Sequence, residues 1–188
     1  MSAELDERLR EVRDLFNEAP FYNDLMRDVV QYQQACSSMD MLADTRLAVE
    51  AFGKLELPPN DSGALYLVIF GVLQAMQTQQ DALQGLEHAL SYYVDKKPTR
   101  ELAAAFRDVG RLRSRAVGHP TNPTKSGTDN CFGIIRGSMT RTNFDLYTFD
   151  YRTWLPERVD LTGLIAAHLD EMTKQVTSLR DALLRVVR

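Results

Sequence analysis

LYLVIFGVLQAMQTQQDALQGLEHAL, Leu65–Leu90, sets apolar side chains at Leu65, Ile69, Val72, Met76, Leu83, Leu86 and Leu90, with Gln79 in the one polar place of the series. Its steps alternate between four and three residues, the repeat of one helical face, so the stretch predicts a long amphipathic helix. Asp61 stands where an N-cap belongs, after Pro58-Pro59-Asn60. A polar residue on such a seam acts as a register device or a buried hydrogen-bonding group, which is the expectation for Gln79, followed by Gln80-Asp81. His88 falls opposite the seam and is expected in solvent.

Working outward, the same period recurs on both sides. Ala3–Phe16 is built of helix formers and ends before Pro20. Leu25, Val29, Tyr32, Cys36, Met39 and Ala43 mark one face of a second long helix that stops near Gly53. Beyond Pro98, with Thr99 able to cap, Leu102, Phe106, Val109, Leu112 and Val117 mark a helix ending at Gly118. After Pro156 and the cap candidate Asp160, Leu161, Ile165, His168, Met172, Val176, Leu179, Leu183 and Val186 mark the last helix, with His168 expected in the core.

The period changes once. After the polar loop TNPTKSGTDN, the runs CFGIIR and FDLYTFDY are rich in β-branched and aromatic residues, with Gly137-Ser138 between them. They predict a β-hairpin over about residues 131–151, which needs support from the bundle or from a partner. The fold expected is mainly α: one domain over residues 1–188, an up-and-down bundle of four to five long helices with a β-hairpin inserted before the C-terminal helix.

The 188 residues are 44% hydrophobic and 26% charged, an ordinary globular composition. No apolar run approaches membrane-spanning length, and the N-terminus is charged and amphipathic, so a cytoplasmic protein with no membrane association is expected. Cys36 and Cys131 form no CxxC pair and read as free thiols. The three histidines are far apart and no metal-ligand spacing occurs, so neither metal nor cofactor is expected; phosphate-cradling glycine motifs and GxSxG are also missing.

Charge is uneven. Between Lys96 and Arg141 ten basic residues face three acidic ones, a local excess of +7 in a chain of formal net charge −4. The centre of that stretch is Gly110–Pro120, GRLRSRAVGHP, where a basic helix runs into Gly118-His119-Pro120. The glycine ends the helix and the proline restricts His119 to a non-helical conformation. Arg113 lies six residues earlier, about 9 Å of helical rise, so both side chains can reach one phosphate.

Arg113 and His119, separated by five residues, resemble the Arg-x4–6-His signature of the HEPN superfamily, helical bundles that include metal-independent ribonucleases of toxin–antitoxin and anti-phage systems. The resemblance implies a catalytic pair Arg113 and His119, a homodimer whose site forms where two protomers meet, and RNA and an antitoxin-like protein as partners. Arg107, Arg111, Arg115 and Lys125 are then the RNA-backbone contacts. Two other functions stay open: RNA binding without cleavage, and a protein-interaction or regulatory bundle that works through the hairpin and its aromatic residues Tyr147, Phe149, Tyr151 and Trp154.

Overall fold

The computed structural model describes residues 3–58, 61–94, 103–118, 121–123, 129–149 and 153–188, with backbone alone at 118, 121–123, 129 and 130. Six helices frame it: α1 (Ala3–Glu18), α2 (Tyr22–Arg27), α3 (Val29–Lys54), α4 (Ser62–Leu90), α5 (Ala104–Arg113) and α6 (Leu161–Val187). The chain is thus mainly helical, with β-structure inserted before the C-terminal helix.

The Leu65–Leu90 seam is buried along α4 in Ile69, Val72, Met76, Gln79, Leu83, Leu86 and Leu90, while His88 is exposed. Asp61 caps this helix by accepting from Ala64 N at 2.9 Å. Helices α3 and α4 pack along much of their length. They approach closely at Gly85, where a Cβ would come 2.8 Å from Ser38 Oγ. Helix α1 lies on α3 and α6; Asp6 pairs with Arg46 and Arg13 with Asp40, so α1 and α3 run in opposite directions. The second predicted helix divides in two at Asp28, whose carboxylate accepts from Gln31 N at 3.3 Å and starts α3 afresh.

At the junction of α4, α5 and α6, His168 is fully buried and its Nε2 lies 2.8 Å from Gln79 Oε1, with the Phe106 ring 5.4 Å from the imidazole. An amide oxygen only accepts, so the histidine donates from Nε2 and leaves a bare lone pair on Nδ1, which has no partner among the described residues. Both polar seam residues foreseen from the sequence therefore meet each other in the core. Burial pushes the His168 pKa down to about 4.

The insert is larger than a hairpin. It is a four-stranded antiparallel sheet in the order β1 (Thr121–Pro123), β2 (Asp129–Ile134), β3 (Asn143–Phe149), β4 (Trp154–Asp160). Part of TNPTKSGTDN forms β1 and the start of β2. Strand β4 is hidden in the sequence because Pro156 reads as a breaker; on an edge strand its missing N–H costs no ladder bond, and it sits opposite Tyr147. The register places Gly133 across from Tyr147, and a Cβ there would lie 2.5 Å from the tyrosine ring. Glycine at that point leaves room for the aromatic side chain.

Phe144 and Leu146 of β3 and Val159 of β4 join the same buried core as the helices. Arg141 Nη1 donates to Leu55 O at 2.8 Å, tying the β2–β3 connection to the chain leaving α3. Strand β4 passes straight into α6 through Asp160, which accepts from Gly163 N at 3.0 Å. Replacing Asp160 by alanine should cost about 1 kcal/mol. In a chain of this size that lowers the melting temperature by roughly 2–4 °C, measurable by calorimetry.

Candidate functional site at the end of helix α5

Helix α5 is amphipathic in a simple way. Phe106, Val109 and Leu112 are buried, and the helix packs against α4 and α6, while Arg107 and Arg111 lie on the exposed face. Gly110 sits against α4, where a Cβ would come 3.3 Å from Gln77 Oε1. One turn on, Arg113 Nε donates to Gln74 Oε1 at 3.2 Å. These two contacts align α5 antiparallel to α4 and fix where the Arg113 guanidinium stands. Among the described residues no carboxylate pairs with it, so its positive charge is held by a neutral partner.

The α-helix then stops earlier than the sequence suggests. Ser114–Gly118 continues as a single π-helical turn that contains Val117, the last member of the predicted apolar series. π-turns are rare in proteins and concentrate at functional sites. This one occupies the interval between Arg113 and His119. His119, Lys125 and the proposed cap Thr99 lie outside the described residues.

The described RNA-contact candidates do not all face the same way: Arg107 and Arg111 are exposed on α5, and Arg115 is not. Arg111 pairs with Asp108 at 3.0 Å on the exposed side of α5. Arg115 turns the other way, into the sheet: Nη1 donates to Glu157 Oε2 at 2.7 Å, Nη2 to Thr148 Oγ1 at 2.6 Å, and its guanidinium carbon stands 4.9 Å from the Phe132 ring centroid. Arg111 and Arg115 still share the wall of a cleft of about 340 Å³ between α5, β4 and the start of α6. Arg158 joins them there, opposed by Asp108, Glu157 and Asp160. The cleft is mixed in charge, since each arginine in it has a carboxylate partner.

Gln74, Thr148 and Glu157 were not foreseen. Gln74 is one of two exposed glutamines on α4, with Gln84, and nothing local distinguishes it. Thr148 and Glu157 lie 33 and 42 residues from Arg115, so only the folded sheet brings them together. Among the described residues no group of three or more histidine, cysteine or acidic side chains is arranged to hold a metal ion, and no helix is long and apolar enough to cross a membrane. Comparison of the chain with protein-family models, with characterised proteins and with solved structures gives no match.

Proposed function

We propose that this chain is a HEPN-like, metal-independent endoribonuclease of the cytoplasm, acting through Arg113 and His119 as a homodimer, in a toxin or phage-defence setting with an antitoxin-like partner. The observation that carries the reading is the state of Arg113. Its guanidinium is aimed by Gln74 with no carboxylate to neutralise it among the described residues, directly before a π-turn that leads to His119.

The chemistry asked of the pair is modest. The RNA 2′-hydroxyl attacks the adjacent phosphorus, the P–O5′ bond breaks, and a 2′,3′-cyclic phosphate and a 5′-hydroxyl result. A histidine takes the 2′ proton, and a second, from the other protomer, gives one to the departing oxygen. Arg113 offers parallel donors to the phosphate oxygens on which charge grows. Arg107, Arg111 and Lys125 then supply affinity for the RNA backbone without reading sequence.

The test is cleavage of RNA by purified protein in EDTA, with Arg113→Ala and His119→Ala beside the wild type. Products ending in 2′,3′-cyclic phosphate from the wild type alone support the reading. Equal cleavage by all three proteins overturns it.

One observation favours the interaction reading instead. Tyr147, Phe149 and Trp154 cluster on one face of the sheet, with the Trp154 ring centroid 4.9 Å from both others, and Trp154 is 63% exposed. Large exposed apolar side chains grouped together mark contact surfaces. On this reading Trp154→Ala abolishes capture of a protein partner, and neither the variant nor the wild type cleaves RNA.

A further inference from the structure

The π-turn Ser114–Gly118 has to be kept in a rare form, and the structure offers one strong hold on it. Ala116 and Val117 rest on the core from one side. From the other, Arg115 reaches all three long strands: Phe132 of β2 under its guanidinium, Thr148 of β3 on Nη2, and Glu157 of β4 on Nη1. Its side chain is only 17% exposed. A planar fork divided between a carboxylate and a hydroxyl, with a ring beneath it, is an arrangement a lysine cannot reproduce. Little of this guanidinium is left to meet a phosphate from solution.

We infer that Arg115 is a positioning residue and not an RNA contact: it clamps the π-turn to the sheet and so fixes the backbone that follows Arg113 as far as Gly118. The sheet inserted before α6 thereby gains a task, since β2, β3 and β4 supply the contacts that hold the turn between the two motif residues on that side. The consequence for turnover rests on the proposed ribonuclease reading, whereas the clamp itself does not.

Arg115→Met keeps the aliphatic stem and removes the fork; Glu157→Gln is milder, removing one charge at a half-exposed position. Two measurements on the full chain decide the matter. Hydrogen exchange at Ser114–Gly118 should quicken in both variants while the middle of α4 and α6 stays protected. Cleavage of a single-stranded RNA oligonucleotide in EDTA should lose on the order of tenfold to a hundredfold in kcat, the scale expected of misplaced reacting groups. KM should stay within about twofold, and Arg115→Lys should recover only part of the loss.

A raised KM at unchanged kcat would place Arg115 on the RNA and overturn the inference. Unchanged exchange at Ser114–Gly118 in both variants would overturn it as well. If Arg115→Met loses protection throughout the bundle, Glu157→Gln decides. If the wild type cleaves no RNA, the ribonuclease reading is lost, and exchange alone accepts or rejects the clamp.

Discussion

Arg113→Ala should lower RNA cleavage in EDTA by about 10²–10³-fold, the usual effect of removing one donor that stabilises charge in the transition state. The fold should hardly notice. Among the described residues Arg113 makes a single side-chain hydrogen bond, to an exposed glutamine, and losing such a bond costs about 0.5–1.5 kcal/mol. Arg113→Lys should not restore the rate, because an ammonium is a point charge where two parallel donors are needed. His119→Ala should cost as much, and the double variant little more than either single one, since groups that act as a unit are not additive. Gln74→Leu leaves Arg113 in place without its guide and should cost less than Arg113→Ala. These rates are read on one labelled oligonucleotide, with melting temperatures measured on the same preparations. A loss of rate matched by a loss of folded protein would leave Arg113 as a structural residue.

The second large effect is on stability, and it lies in the core. Above pH 6.5 His168 is neutral in both the folded and the unfolded chain, and it adds no pH dependence. As pH falls below that value the unfolded chain takes up a proton, while the buried imidazole, its pKa held near 4, does not. Stability is therefore lost across the window from 6.5 down to 4, by about 3 kcal/mol at its lower end. That is a large part of the 5–15 kcal/mol that domains ordinarily possess. Denaturant titrations at pH 7 and pH 4 measure it. His168→Leu should remove this part of the slope, at a cost near neutrality of about 1–3 kcal/mol, because Gln79 Oε1 then lacks its donor. Adding Gln79→Leu should return some of that cost. A His168→Leu slope equal to that of the wild type would mean that other groups control acid unfolding.

The helical frame was legible because burial on a helix repeats within a few residues. The seam from Leu65 to Leu90, the cap at Asp61 and the run from Leu161 to Val186 each declare themselves locally, and α4 and α6 follow them. Even the meeting of Gln79 with His168 was half visible, as two polar residues on apolar seams. The sheet was legible where β-branched and aromatic residues gather, in β2 and β3, and lost at β4, where Pro156 carries a local meaning that its edge position cancels.

The site divides in the same way. The five-residue gap between Arg113 and His119 is a property of the sequence and can be read without a fold. Four arginines at Arg107, Arg111, Arg113 and Arg115 look alike there, since each is a cation on one short helix. Tertiary structure separates two of them by what each meets, Gln74 from α4 for Arg113, and Glu157, Thr148 and Phe132 from the sheet for Arg115, whereas Arg111 pairs within its own helix with Asp108. The sequence by itself determined the helices, their buried faces and the motif, because those depend on neighbours within a turn or two. Which arginine meets only a neutral partner among the described residues and which is spent on the sheet was decided only by packing, because Gln74, Thr148 and Glu157 come from chain segments tens of residues away.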